Sequence, residues 1–240
     1  LELQVPLAQA MTALHGYGSE KTGAVYERAF KLTQGMSSPP DLFPILYGLS
    51  TNRLNGGRFL EGLSIAEELA TYAETAEDKI GYTIAQRWYA QCLLWVPDFE
   101  QAEVHINNAL TAYEEANFNR WIEDYGQDPK ALGLVYMSGV QQWLGYLDQS
   151  TTLFDKAMAH AETLNSPFVI AFTLWFGAIT GVMVGDLETT KKHNNALLEI
   201  ATDKHFAFYK ASALVISGWV EQRQGKPDVI EKMQHGMDQV

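Results

Sequence analysis

The chain has 240 residues, 47% of them hydrophobic and 12% aromatic, enough for a sizeable core and too apolar for a disordered segment. Its formal net charge is −12, so it repels phosphate backbones and anionic bilayers, and neither nucleic acid nor a membrane is an expected partner. The single cysteine, Cys92, lies in Ala90-Gln91-Cys92-Leu93-Leu94; it reads as a buried thiol, precludes an intrachain disulfide framework and fits a reducing cytoplasm.

Taken in chain order, the predicted units are helix pairs. The first covers 4–35, with Gly16-Tyr17 ahead of its long helix. The second, 41–75, opens on Asp41 and Pro44 and breaks at Gly57-Arg58-Phe59. In the third, 79–116, residues Ile84, Trp88, Cys92 and Trp95 share one helical face. After the break at Pro97-Asp98-Phe99, so do Phe99, Ala102, Ile106, Ala109, Leu110 and Tyr113. Residues 117–128 read as an insertion, packed back on the array through Phe118, Trp121 and Tyr125, because three aromatics in eight residues are costly to leave in water. The fourth unit, 129–165, opens on Asp128-Pro129, a capping side chain followed by proline at the first helical position, and breaks at Gly145-Tyr146-Leu147. The fifth, 167–202, opens on Ser166-Pro167 and breaks at Gly185-Asp186-Leu187. The sixth, 206–240, breaks at Gly225-Lys226-Pro227.

The breaks at 57 and 97, at 145 and 185, and at 185 and 225 are 40 residues apart; 97 and 145 are 48 apart, which places about eight inserted residues between them. A two-helix unit cannot bury both faces alone, so a period this regular needs stacked neighbours. The predicted fold is therefore all-α, an α-solenoid of about six antiparallel helix pairs in a single repeat domain. No sustained alternation of period two points to strands. The most apolar stretch, Phe168 to Val184, is interrupted by Thr173, Gly177, Thr180 and Gly181, and no membrane span is predicted. The N-terminus lacks a signal peptide's basic start and apolar core. The first residue is not Met and Val240 falls inside a helical pattern, so the chain reads as part of a longer protein.

A search for chemistry returns little. The histidines, at 15, 105, 160, 193, 205 and 235, have no zinc-ligand spacing and read as surface or inter-helix residues. Gly16-Tyr17-Gly18-Ser19-Glu20-Lys21 lacks the third glycine, the preceding strand and the Lys-Ser/Thr ending of a phosphate loop, and reads as a turn. Adjacent acidic pairs such as Glu67-Glu68 and Glu114-Glu115 read as solvated faces. No catalytic residue, metal site or cofactor is predicted, and the chain is not expected to be an enzyme.

Around the breaks the sequence resembles tetratricopeptide repeats. Ser138, Ser150, Phe154 and Ala157 stand −7, +5, +9 and +12 from Gly145; Ala90, Ala102, Ile106 and Ala109 stand at the same offsets from Pro97. Thr190 and Asn194 depart from this small–small–large–small order. Nearly the whole chain is also similar to the C-terminal helical-repeat region of large bacterial multidomain signalling proteins. Those carry a nucleotide-cyclase or DNA-binding domain and an ATPase ahead of the repeats. The matching segments are Gly16-Tyr17, Asp41-Leu42-Phe43-Pro44-Ile45-Leu46-Tyr47-Gly48-Leu49, Tyr125-Gly126-Gln127-Asp128-Pro129, Trp143-Leu144-Gly145-Tyr146 and Ser166-Pro167-Phe168-Val169-Ile170-Ala171-Phe172.

The tetratricopeptide resemblance implies that the first helix of each pair lines a concave binding groove. Counting back from each break then gives Tyr47, Thr51, Arg87, Gln91, Trp143, Trp175, Ile179, Trp219 and Arg223 as candidate groove residues, with Asn55, Trp95, Val135, Gly139 and Val215 at equivalent positions. Aromatics and arginines are the usual interface anchors, although each tryptophan could equally serve packing between repeats. The resemblance implies a regulatory interaction module that docks a peptide or partner domain: its own ATPase or cyclase domains, a sister chain or a signal protein. A small-molecule effector-sensing domain is the alternative.

Overall fold

The computed structural model describes residues 3–36, 41–76, 78–113, 118, 122, 127–227 and 229–237. Among them are twelve α-helices and no strand: α1 (Gln4–His15), α2 (Glu20–Thr33), α3 (Leu42–Asn55), α4 (Phe59–Thr75), α5 (Lys79–Trp95), α6 (Phe99–Tyr113), α7 (Pro129–Trp143), α8 (Leu147–Thr163), α9 (Pro167–Val184), α10 (Leu187–Asp203), α11 (Ala207–Arg223) and α12 (Val229–Met237). The break residues 57, 97, 145, 185 and 225 all lie between helices. Four are glycines in the left-handed region (φ 76°, 89°, 77° and 77°), a conformation that ends a helix without a β-carbon penalty.

A capping side chain opens six of the twelve helices. Asp128 accepts a hydrogen bond from the Ala131 amide at 2.7 Å and Ser166 one from Val169 at 3.5 Å, each followed by proline at the first helical position. Asp186 caps α10 through Thr189 at 3.1 Å. Asp41 stands at the start of α3 in a left-handed conformation and makes no side-chain cap bond, unlike the capping role that the sequence assigns it.

The chain divides into two compact units, Leu1–Asn117 and Phe118–Val240. Within each, consecutive helices pack against one another, and first helices also pack on the next first helix: α1 on α3 and α3 on α5 in one unit, α7 on α9 and α9 on α11 in the other. The residues at −7 and +5 from a break meet where the two helices of a pair cross. Ser50 donates to the Gly62 carbonyl at 2.7 Å and Ser138 to the Ser150 carbonyl at 2.8 Å; Ala90 and Ala102 are likewise buried. Small side chains there let backbones approach closely. The last pair departs from this register: Ile230 is exposed, while Val229 and Gly236 are buried and Met233 fills the space beside Gly218. Helix α12 starts at Val229, four residues after Gly225 rather than two, and its buried face is shifted by one residue.

Of the insertion's aromatics, Phe118 is buried; Trp121 and Tyr125 lie outside the described residues. Ile122 packs with Ala131, Ala161 and Val169. Helix α9, at 18 residues with a mean hydropathy of 1.9, is long and apolar enough to cross a membrane by length and composition only. Here its small and apolar residues pack on α7, α8, α10 and α11.

Candidate functional site

In the first unit the structure brings four of the sequence-derived residues together across α3 and α5. The Arg87 guanidinium donates to the Tyr47 hydroxyl at 3.2 Å and to the Gln91 side-chain oxygen at 2.9 Å. It also lies 5.7 Å from the centroid of the Trp88 ring, and Trp88 is in turn 5.0 Å from the Tyr47 ring. Thr51 turns its hydroxyl to the Tyr47 carbonyl at 2.7 Å. Arg87 is only 1% exposed. Its planar fork therefore ties two neighbouring first helices together, and what it offers to the surface it offers through Tyr47 and Gln91, both half-buried.

In the second unit the candidates run along α7, α9 and α11. Trp175 is half-buried. Its indole N–H donates to Ser212 at 2.7 Å, and its ring meets Phe172, Phe208 and Tyr209 at centroid distances of 5.7, 5.6 and 6.3 Å. It stitches α9 to α11 and keeps one edge outside. Trp143, Ile179 and Trp219 are also half-buried. The exposed Arg223 lies over the Trp219 ring at 5.3 Å, a cation–π pair one helical turn apart. Of the equivalent positions, Val135 and Gly139 are buried; a β-carbon at Gly139 would meet the Phe176 ring at 3.0 Å.

Sequence reasoning missed several partners. Asn52 and Arg53, both buried, sit beside positions it did count. Asn52 donates to the carbonyls of Tyr17 at 2.7 Å and Ser19 at 2.9 Å, clamping the α1–α2 turn. Arg53 pairs with Glu27 and, at 3.2 Å, with Glu61. The Gly16–Lys21 segment is thus a helix-to-helix turn, with Ser19 capping Thr22 at 3.1 Å. Ser212 and Phe208 were also missed; the only sequence signal for Ser212 is its 37-residue separation from Trp175, close to one repeat, echoed by Ser50 and Trp88 at 38.

Titratable groups are spent on structure. His160 meets Asp128 at 3.0 Å. His105 meets Gln86 at 2.6 Å and packs edge-on against Tyr89, and burial lowers its pKa. Burial also lowers that of His193, which stacks on Phe154 at 4.1 Å. Cys92 is buried and its thiol is pushed up to about 12, chiefly by desolvation. Among the described residues, no group of three or more His, Cys, Asp or Glu side chains could hold a metal ion.

No family model matches the chain, and no curated protein matches it. Solved structures do. A Rap protein complexed with competence and sporulation factor aligns with TM-score 0.68 at 11% identity, over 99% of this chain and 75% of that one. The Rap conjugation gene regulator of plasmid pLS20, in complex with the Phr* peptide, aligns with TM-score 0.72 at 16% identity, over 98% of this chain and 61% of that one. Kinesin light chain TPR-like repeats from Podosopora anserina align with TM-score 0.60 at 13% identity, over 85% of this chain and 96% of that one. At these identities the likeness defines the fold: an all-α protein of TPR-like helical repeats.

Proposed function

We propose that the chain is a non-catalytic, regulatory interaction module that binds an extended peptide or a helix of a partner along the first-helix faces. The observation that carries this reading is the set of half-exposed aromatics on α9 and α11, Trp175 and Trp219, with the Arg223 cation held over Trp219. On a chain of net charge −12, a face of indoles with an arginine is set apart from the acidic surface, and such groups are the usual energetic anchors of interfaces. The two Rap structures, one complexed with competence and sporulation factor and the other with the Phr* peptide, on the same fold, support a peptide ligand. The matching segments shared with bacterial multidomain regulators support a place inside a signalling protein, with its own ATPase or cyclase domain, or a sister chain, as the source of that peptide. Trp143 and Ile179 would extend this surface within the second unit; in the first unit Tyr47 and Gln91 would form a face of their own, backed by the buried Arg87 and Thr51.

The test is selection of peptides from a display library against the chain, followed by anisotropy titrations of the winners. Trp219→Ala or Arg223→Ala should weaken binding by about 2 kcal/mol or more with an unchanged melting temperature. If peptides bind both variants as they bind the parent chain, the face is not the site.

A further inference from the structure

Charge is divided unequally between the two helices of each pair. The first helices, α1, α3, α5, α7, α9 and α11, hold one acidic residue, Glu221, against six basic ones: Arg53, Lys79, Arg87, Lys130, Lys210 and Arg223. The second helices, of nearly the same summed length, hold fifteen acidic and seven basic residues. Of these, α4 and α6 carry six carboxylates and neither lysine nor arginine. Burial explains why the first helices hold few charges. It does not explain their sign, because the chain as a whole has 29 acidic residues to 17 basic ones.

In the second unit this bias coincides with the aromatic face. Helix α9 has no charged residue and α7 no acidic one. Trp175 and Ile179 of α9 are half-buried and Met183, two residues before the break, is exposed. At the same position before its own break, α11 has the exposed Arg223, held over the Trp219 ring at 5.3 Å. Among the described residues Arg223 forms no ion pair, whereas the buried Arg53 is matched by Glu27 and Glu61. Glu221, the one first-helix carboxylate, lies 3.7 Å from Lys226. A guanidinium resting on an indole has lost part of its mobility before a ligand arrives, so a carboxylate engages its planar fork at a lower ordering cost.

We propose that the segment taken by the face of α7, α9 and α11 is acidic. It is an amphipathic stretch whose apolar side chains cover Trp175, Ile179 and Trp219, and whose Asp or Glu side chain accepts from the Arg223 guanidinium. This rests on the reading of that face as the peptide site and adds the sign of the ligand's charge. A basic segment is repelled by Arg223 and drawn to the carboxylates of the second helices, so the same division of charge that attracts the right partner turns the wrong one away.

The experiment pans the whole chain against two displayed peptide libraries with the same apolar positions, one with Asp and Glu at its polar positions and the other with Lys and Arg. Winners are made with amidated C-termini, so that every ligand carboxylate is a side chain, and are titrated by anisotropy. Acidic winners should bind at least about tenfold more tightly than basic ones, and severalfold more weakly when salt rises from about 0.05 to 0.3 M. Exchanging their Asp and Glu for Asn and Gln should cost about tenfold. Arg223→Glu, at an exposed position, should keep the melting temperature and weaken acidic winners at least about tenfold, while Arg223→Lys keeps the preference for the acidic library. If basic winners bind as tightly as acidic ones and both are lost in Trp219→Ala, or if acidic winners lost in Trp219→Ala bind Arg223→Glu as they bind the parent chain, the acidic ligand is overturned and the peptide face stands. If neither library yields a peptide that Trp219→Ala loses, the peptide face falls and the acidic ligand with it.

Discussion

At the scale of single residues, the two indole–serine bonds separate a packing tryptophan from one that also faces outward. Trp88 is buried and donates to Ser50 Oγ at 2.7 Å, while the Ser50 hydroxyl donates to the Gly62 carbonyl. Three helices meet in that chain of bonds. Trp88→Phe removes the donor inside a closed core, and a loss of about 1–3 kcal/mol in urea unfolding is expected. In Trp175→Phe, Ser212 is half-buried and water can replace the indole N–H, so the loss should be distinctly smaller. Equal losses would mean that both indoles are wholly internal. Cys92 lies 3.9 Å from the same Ser50. With the thiol at about 12, almost no thiolate exists at pH 8. A disulfide reagent should leave native Cys92 untouched for hours and modify it promptly in denaturant. The sequence showed that Trp88 and Cys92 share a face. It could not show that Ser50 joins them, because that contact spans a repeat boundary and leaves no local periodic trace.

At the scale of elements, glycines that look like helix breakers decide how closely the pairs cross. Gly177 sits inside α9, where a β-carbon would fall 2.3 Å from the Phe154 ring of α8 and 2.8 Å from His193 Nδ1 of α10. Gly→Ala in a helix interior normally gains about 1 kcal/mol. Here the neighbours are two stacked rings that cannot both retreat, so overpacking of about 1–3 kcal/mol should outweigh the propensity gain. Gly177→Ala is expected to be less stable than the parent in denaturant titration; a more stable variant would show that the Phe154–His193 stack is loose. The helices, their caps at Asp128 and Ser166 and the breaks were legible in the sequence because proline, glycine and small-residue offsets act within one pair. The shifted register of α12 was not. Counting from Gly225 assumes that the helix opens two residues later, as at the other glycine breaks, whereas α12 opens at Val229. Arg87 was legible as a first-helix residue. Its withdrawal behind Tyr47 and Gln91 depends on the neighbouring helix, which a single-helix count does not contain.

At the scale of the whole molecule, two opposing effects of acid can be separated by salt. The chain carries a net charge of −12 and a pI near 4.9. Lowering the pH from 7.5 toward 5.5 therefore reduces self-repulsion and favours the compact state. Two histidines work the other way. His193 is held neutral first by burial and further by Lys192, against the Gly177 carbonyl, Asp155 and Asp186, which favour its charged form. His105 is held neutral by burial against Glu74. Both folded-state pKa values lie below the ordinary 6.5, so near pH 6 the unfolded chain binds more protons than the folded one. Stability is then complete above about pH 6.5 and falls as the pH drops toward the folded values. Salt at about 0.5 M shortens the screening length to a few ångströms and removes most of the long-range repulsion, but barely touches a desolvated imidazole. The urea midpoint should therefore fall more steeply between pH 7.5 and 5.5 in high salt than in low salt. In high salt, His193→Gln should flatten that fall, since glutamine stays neutral in both states. A midpoint independent of pH in high salt would show that neither imidazole is kept neutral by the fold, and an unchanged slope in His193→Gln would show that His193 is not.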